Sequence, residues 1–132
     1  MEQSDSIRHY RLLNTLGRGG FATVYLGRDT LLNRAVALKV LDPLLAEDAN
    51  VREQFLREGQ ALARVQHPNL VRVYEAGIDR GRVYLAMEYI DGQSLDQIMP
   101  DQPWGLDGVR TVVAQVAPVL DALHARGLIH RD

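Results

Sequence analysis

Hydrophobic and polar residues alternate with a period of two through much of the first 90 positions, a pattern typical of half-buried strands. The alternating runs are short, and segments rich in glycine, asparagine, aspartate and arginine separate them. They predict five strands, at residues 10–16, 23–28, 35–41, 71–76 and 82–89, with turns at 29–34 and 77–81. Pro43 ends the third strand, because proline has no N–H to donate to a sheet.

The segment between the third and fourth predicted strands repeats its apolar residues at helical spacing. It predicts a helix with Asn50 as its N-cap and Glu53 in the capping-box position, continuing to about Gln66. We expect the helix to stop there because Pro68 disfavours helical geometry in the residue before it.

The pattern after the fifth predicted strand is helical. It predicts a short helix over residues 94–99 and a long one over about 107–126, closed by Gly127 in the C′ position. Pro118, inside the long helix, is expected to remove one backbone hydrogen bond and to bend the axis. Strands at the front with one inserted helix, followed by helices, predict an α+β fold. We divide the chain into a tail over residues 1–9, a strand-rich lobe over 10–90 and the start of a helical lobe over 91–132.

Composition narrows the range of functions. The 132 residues are 46% apolar and 24% charged with a net charge of −2, so no basic excess favours nucleic acid as a partner. The absence of cysteine excludes disulfides, thiolate metal sites and a cysteine nucleophile. The N-terminal sequence has no apolar signal region, and no apolar run approaches the roughly 20 residues of a membrane span. The sequence therefore predicts a cytoplasmic protein.

Three glycines, Gly17, Gly19 and Gly20, lie directly before the second predicted strand. A turn this bare can bring backbone N–H groups close to phosphate oxygens, because no Cβ intervenes. In a dinucleotide-binding fold such a loop is followed by a helix, whereas here a strand follows, so the loop is predicted to be the tip of a hairpin. By themselves the glycines fit a phosphate-binding loop and an ordinary hairpin turn equally well.

A lysine interrupts the apolar run of the third predicted strand. Alternation puts Lys39 on the face opposite that of Val36, Leu38 and Val40, where its charge needs a negative partner or water. An edge strand with the lysine in water is one interpretation. The other is an ion pair with Glu58, which falls on the apolar stripe by which the predicted helix faces the sheet.

These features together resemble the protein kinase family. The motifs are, in order, a Gly-rich loop at residues 17–24, the sequence Val-Ala-Leu-Lys ending at Lys39, the helix residue Glu58, and His130-Arg131-Asp132. The stretches HPNLVRVYE, MEYIDGQSL and LHARGLIHRD are similar to those of bacterial-type (Hanks-type) serine/threonine kinases. The resemblance extends over residues 10–132 and implies a protein-kinase-like N-lobe, with a five-stranded antiparallel sheet and one inserted helix, followed by the first helices of an incomplete C-lobe.

The resemblance implies a set of residues around ATP. Leu16, Val24 and Ala37 are implied to line the adenine pocket, with Met87 behind it in the gatekeeper position. Backbone groups of Glu88 and Ile90 are implied to meet the adenine edge. The residues implied to cover the phosphates are Gly17, Arg18, Gly19, Gly20, Phe21, Ala22, Thr23 and Val24.

The resemblance also implies three residues that act directly in the reaction. Lys39 is implied to hold the α- and β-phosphates and to pair with Glu58, and Asp132 is implied to be the catalytic base that accepts the proton of the substrate hydroxyl. One departure from the family pattern lies in the loop, where Ala22 replaces the usual third glycine. Alanine restricts φ, which is tolerable if the position is extended.

The reaction implied by the resemblance transfers the γ-phosphate of ATP to serine or threonine hydroxyls of protein substrates, with Mg²⁺ as the metal ion. The magnesium ligands of the family follow the position of Asp132, so we expect no metal ligand in this chain, nucleotide binding at most, and a fragment of a longer kinase. A pseudokinase-like module that binds nucleotide or a partner without catalysis is the alternative. A dinucleotide-dependent enzyme is a third possibility, which the strand after the glycines disfavours.

Overall fold

Antiparallel strands form one six-stranded sheet in the part of the chain that the structure, a computed structural model, describes, namely residues 5–92 and 106–124. The order across the sheet is β1-β2-β3-β4-β6-β5. The five predicted strands are present, and a short strand precedes them. The strands are β1 (Ser6–Ile7), β2 (Tyr10–Arg18), β3 (Ala22–Asp29), β4 (Arg34–Leu41), β5 (Val73–Asp79) and β6 (Arg82–Glu88).

Most strand ends differ from the prediction by one or two residues, and the larger differences are an added strand and the bounds of β5. The stretch predicted as a tail contains β1, whose Ile7 is fully buried and pairs with Tyr10 of β2. Strand β5 begins at Val73 rather than at residue 71 and continues to Asp79. Arg80 and Gly81 both have positive φ, at 50° and 80°, which fits a tight two-residue hairpin turn. The turn is therefore shorter than the predicted turn over residues 77–81 and lies at its end next to β6.

The turn between β3 and β4 depends on a buried carboxylate. Asp29 is 2% exposed, and its Oδ1 accepts hydrogen bonds from the backbone N–H groups of Leu31 and Leu32, both at 3.0 Å. Asn33 completes the turn with a φ of 53°, which asparagine tolerates better than most residues. The turn predicted between the second and third strands is therefore confirmed, and Asp29 is the residue that organises it.

One helix, α1 (Ala49–Ala63), is inserted between β4 and β5. Its N-cap is Asp48, whose Oδ1 accepts from the N–H groups of Asn50 at 2.9 Å and Val51 at 3.4 Å. The predicted cap at Asn50 is therefore wrong, and Glu53 forms an ion pair with Arg57 one turn later instead of closing a capping box. A 3₁₀ turn at Leu45–Glu47 leads the chain into this earlier start.

The two faces of the sheet bury different sets of residues. Val36, Leu38 and Val40 of β4 share one face and pack in a single cluster with Tyr84 and Ala86 of β6. Ile7 and Tyr10 join the same cluster, because β1 and the start of β2 lie against it. The alternation predicted for the third strand is thus confirmed.

The opposite face is covered by α1, which packs on β5 and β6. Gly59 is the buried residue of this helix, and a Cβ there would overlap the side chain of Leu85 and approach the Cβ of Ala76 at 3.4 Å. The helix thus approaches the sheet closely because glycine has no side chain at the point of contact. Phe55 and Leu56 extend the contact towards a second cluster around Leu41, Ala46 and Val83.

A pair of tyrosines ties the first cluster to β5. The hydroxyl of Tyr84 donates to Glu75 Oε1 at 3.0 Å, and Tyr10 hydrogen-bonds the same carboxylate. Burial raises the pKa of both phenols well above its usual range, and the adjacent Glu75 carboxylate raises it further. Both tyrosines therefore contribute to the core as neutral groups.

A second helix, α2 (Leu106–His124), follows the sheet and contains Pro118 as predicted. Asn69, in the loop after α1, donates a hydrogen bond to the backbone oxygen of Gln115 at 2.8 Å, which connects the two parts of the described chain. Neither α1 nor α2 is long and apolar enough to cross a membrane. The predictions of a helix over 94–99, a C′ residue at Gly127 and a catalytic Asp132 concern positions outside the described residues.

Replacing Gly59 by leucine tests the close approach of α1 to the sheet. The added side chain has to displace Leu85, and overpacking of this kind typically costs about 1–3 kcal/mol of unfolding free energy. The same substitution one residue later, Gln60→Leu, puts the new side chain on the exposed side of the helix and should cost less than about 0.5 kcal/mol. Urea unfolding followed by circular dichroism measures both, and equal losses would contradict this packing.

The tyrosine pair predicts how stability depends on pH. Removal of the hydroxyl in Tyr84→Phe should cost about 1 kcal/mol at pH 7, where the hydrogen bond to Glu75 is intact. Because the folded-state pKa is raised, the unfolded chain loses its phenolic proton first once the pH passes about 10, and the stabilisation by Tyr84 then decreases as the pH rises. Urea unfolding at pH 7 and pH 11 should show the difference between wild type and variant shrinking. Tyr25→Phe, in the same core, is the control, and a difference that grows with pH would contradict the assignment.

Candidate functional site

The face of the sheet under α1 also carries Lys39. In β4 this residue lies opposite Val24 of β3 and Leu85 of β6, and residues directly opposite in antiparallel strands have side chains on the same face. Because Leu85 is the residue that α1 contacts through Gly59, Lys39 belongs to the helix-covered face. The interpretation of Lys39 as a residue of an edge strand is wrong, since β4 is paired on both sides.

Several apolar residues predicted to surround a ligand share this face with Lys39. Ala37 lies two residues before Lys39 in β4, and it is opposite Leu26 in β3 and Met87 in β6. Ala37 is buried, while Val24 and Met87 are half-buried. The register therefore brings Val24, Ala37, Lys39 and Met87 together as a mostly apolar surface with one cation.

The glycines form the tip of the β2–β3 hairpin at the end of this surface. Gly17 lies opposite Val24, and the tip is closed by the Gly19 N–H, which donates to the Ala22 oxygen at 2.8 Å. A Cβ built on Gly17 or Gly20 would meet nothing within 4 Å, and neither residue has a positive φ. Packing and backbone geometry within the described chain therefore do not require glycine at these two positions.

The departure from the family pattern at Ala22 is accommodated by its surroundings. Ala22 begins β3 and lies opposite Leu41, so its backbone is extended, as the prediction required. Its methyl group is buried, with 6% of the residue exposed. A small apolar side chain thus fits here, whereas the glycines beside it are exposed.

The Lys39 ammonium lies near an aromatic ring of the loop. Its Nζ is 5.7 Å from the centroid of the Phe21 ring, within the range of a cation–π contact. The Phe21 backbone oxygen accepts a hydrogen bond from the Asp42 N–H at 2.7 Å, which attaches the loop tip to the end of β4. Sequence reasoning missed this contact, because it depends on how the hairpin folds over the neighbouring strand.

Glu58 does not occupy the position predicted for it. Its side chain is exposed, and its Oε1 accepts a hydrogen bond from Gln54 Nε2 at 3.2 Å. Within residues 5–92, no ion pair of 4.0 Å or less joins Glu58 to Lys39. The cause lies in the adjacent Gly59, which is the residue that faces the sheet, so a rotation of about 100° per residue turns Glu58 to the side of the helix. The spacing of Gln54 and Glu58, i and i+4, could have predicted their hydrogen bond.

The segment after β6 contains the residues predicted to meet an adenine edge. The Glu88 N–H donates to the Arg72 oxygen at 2.8 Å, and Glu88 Oε1 accepts from the Arg72 N–H at 3.2 Å. These bonds hold the start of the segment against Arg72, the residue before β5. Ile90, two residues further along, is 57% exposed.

A magnesium site does not fit the part of the chain that the structure describes. Within residues 5–92 and 106–124, no group of three or more histidine, aspartate or glutamate side chains is placed to hold a metal ion.

The glycine hairpin, the lysine on the apolar face below it and the helix over that face define the N-terminal lobe of a protein kinase, as predicted. The structure superposes on the crystal structure of the Mycobacterium tuberculosis PknI kinase domain with a TM-score of 0.85 and 34% sequence identity, covering 100% of this chain and 54% of that one. The family profile described as "Protein kinase domain" matches residues 10–132. The chain therefore belongs to the protein kinase family.

Curated relatives are bacterial serine/threonine-protein kinases. PknJ of Mycobacterium tuberculosis is 39% identical over 123 residues, which cover 93% of this chain and 21% of PknJ. The probable serine/threonine-protein kinase PknB of Lactococcus lactis is 38% identical over 125 residues, covering 93% of this chain and 20% of the relative. The chain thus spans about a fifth of the length of these relatives.

Two glycines of the β2–β3 hairpin, one in the loop and one in β3, should differ in how much stability is lost when each is replaced by alanine. Gly20→Ala should change the unfolding free energy by less than about 0.5 kcal/mol, because the new methyl meets nothing within 4 Å. Gly27→Ala should cost about 1–3 kcal/mol, because its Cβ would lie 2.8 Å from Leu38 Cδ1 and 3.2 Å from the Arg11 oxygen. Urea unfolding of the two variants measures the contrast. Equal destabilisation would mean that Gly20 serves the fold rather than a ligand.

Proposed function

We propose that the chain is the ATP-binding part of a serine/threonine protein kinase domain that transfers the γ-phosphate of ATP to protein hydroxyls. The observation that carries the proposal is the position of Lys39, which shares one sheet face with Val24, Ala37 and Met87 below the glycine hairpin. An apolar surface with one convergent charged group is the usual character of a small-molecule site.

The choice of lysine at position 39 supports a specific need for an ammonium group. The sequence has 15 basic residues, of which Lys39 is the only lysine and the other 14 are arginines. A cation that only needs to be solvated at the surface can be lysine or arginine, and at every other basic position of this chain it is arginine. A compact point charge with three donors suits phosphate oxygens at the bottom of a narrow site, where a planar guanidinium is less easily placed.

The adenine ring is proposed to lie on Val24 and Ala37, with Met87 behind it. Ala37 has only a methyl group, which leaves room for a flat ring against β4. Leu16 and Ile90 are 44% and 57% exposed, and a bound ring would cover apolar surface on both. The Glu88 carbonyl and the backbone of Ile90 are proposed to meet the adenine edge.

The phosphates are proposed to lie between the hairpin tip and Lys39. The open space above Gly17 and Gly20 allows the backbone to approach phosphate oxygens closely, which accounts for glycines that the fold itself does not require. Lys39 is proposed to hold the α- and β-phosphates. Glu58 is proposed to orient Lys39 in a catalytic arrangement, which requires α1 to turn its exposed carboxylate towards the sheet.

The transfer step is proposed for a kinase domain that continues beyond this sequence, as the relatives do. In that domain Asp132 would accept the proton of the substrate hydroxyl, and Mg²⁺ bound by later residues would neutralise phosphate charge. For the 132 residues by themselves we propose nucleotide binding without transfer. A cytoplasmic location is part of the proposal, since ATP and protein substrates are available there.

Calorimetric titration with ATP tests the proposal on the 132-residue chain. Lys39→Met should weaken ATP binding about tenfold or more, because it removes charge-assisted hydrogen bonds to phosphate. Arg57→Met, which removes a cation from the exposed side of α1, should leave ATP affinity unchanged.

Other outcomes would favour the competing functions. ATP affinity that is equal in wild type and Lys39→Met would contradict the placement of the phosphates, and binding of NADH but not ATP would favour a dinucleotide enzyme. ATP binding without phosphate transfer in a chain extended through a complete kinase domain would favour a non-catalytic module.

A further inference from the structure

The Phe21 ring lies where it can interact with the ammonium proposed to bind phosphate. Lys39 Nζ is 5.7 Å from the ring centroid, and the described structure gives Lys39 no ion pair with Glu58 within 4.0 Å. The negative face of an aromatic ring attracts a cation, so the ring gives Lys39 some of the stabilisation that an anion would give more strongly.

The hairpin backbone brings the ring to this place. The Phe21 oxygen accepts the Asp42 N–H at 2.7 Å, and the Gly19 N–H donates to the Ala22 oxygen at 2.8 Å, so the tip is closed and attached to β4. Lys39 is on that same strand, three residues before Asp42. The loop tip and the ammonium are therefore held at a short distance by main-chain hydrogen bonds.

Packing does not hold the ring there. Phe21 is 56% exposed, so most of its surface is outside the core. A phosphate oxygen makes a shorter and stronger charge-assisted hydrogen bond to an ammonium than a ring does, so a phosphate can displace the ring. The ring can move without loss of the core, and the hairpin can keep its main-chain bonds while it does so.

We propose that the Phe21 ring competes with the phosphates of a bound nucleotide for the Lys39 ammonium, so that phosphate binding requires the ring to move away. This inference rests on the proposed function and adds a regulatory residue to the same site. The ring lowers affinity for phosphorylated nucleotides and does not affect the affinity for adenosine, because adenosine brings no group to Lys39. If the ring instead covers the bound phosphates, it would raise nucleotide affinity, so the two models predict opposite effects of the ring on affinity.

Variants at position 21 with a weaker and a stronger cation–π partner distinguish these two effects on affinity. Calorimetry with ADP and with adenosine is performed on wild type, Phe21→Leu and Phe21→Trp. Leucine removes the π face, so ADP should bind about two- to fivefold more tightly than in wild type, whereas tryptophan, the strongest cation–π partner, should weaken ADP binding. Adenosine affinity should be equal in all three proteins. Weaker or unchanged ADP binding in Phe21→Leu would overturn the inference.

A second measurement tests the ring contact without any nucleotide. Because Lys39 is the only lysine, an amine-reactive acyl ester labels its Nζ and the N-terminal amine alone, and peptide mass spectrometry separates the two. Lys39 should be labelled faster in Phe21→Leu than in wild type, with the N-terminal amine as internal control. Leu44→Ala, which shortens an exposed apolar residue outside the loop, should leave the rate unchanged.

The two measurements separate failure of the inference from failure of the proposed function. ADP binding by wild type with equal labelling rates and equal affinities in the variants would overturn the competition and leave the proposed function standing. Absence of ADP and ATP binding by wild type would overturn the proposed function and, with it, the competition for phosphate.

Discussion

The electrostatic requirement of the Lys39 ammonium is the constraint on which the organisation of this lobe depends. An ammonium on the apolar face of a paired strand is unfavourable unless an anion, a π face or water is close to it. The described structure supplies the Phe21 ring at 5.7 Å. The glycine hairpin brings this ring close to the lysine, whereas α1 leaves the Glu58 carboxylate exposed on the side of the helix.

The two faces of the sheet have separate roles. One face holds Val36, Leu38 and Val40 against Tyr10 and Tyr84 and supplies the packing that makes the sheet rigid. The other face carries Lys39 and small or half-buried apolar residues, which leave space for a ligand. Because strand side chains alternate, β4 takes part in both faces, and the rigidity of the first face fixes the geometry of the second.

The orientation of α1 on the sheet decides whether Glu58 can pair with Lys39. The helix contacts the sheet through Gly59, and Glu58 consequently points to the side and bonds to Gln54. A pair between Lys39 and Glu58 would therefore require α1 to turn Glu58 towards the sheet, and Gln54, on the same helix, would turn with it. The formation of this pair thus depends on how α1 is oriented on the sheet, whereas Lys39 is held in place by β4, which is paired on both sides.

The sequence by itself determined the α+β class, the five main strands, the face on which Lys39 lies and the family, because alternation and motif spacing are properties of the chain alone. Only the tertiary structure decided that Asp48 rather than Asn50 caps α1, that Gly59 rather than Glu58 faces the sheet, and that Phe21 approaches Lys39. The start of α1 follows from the 3₁₀ turn before it, and the other two cases share one physical reason. Each depends on how closely two elements approach and at what angle, and a glycine without a side chain or an exposed loop leaves little signal of this in the order of the residues.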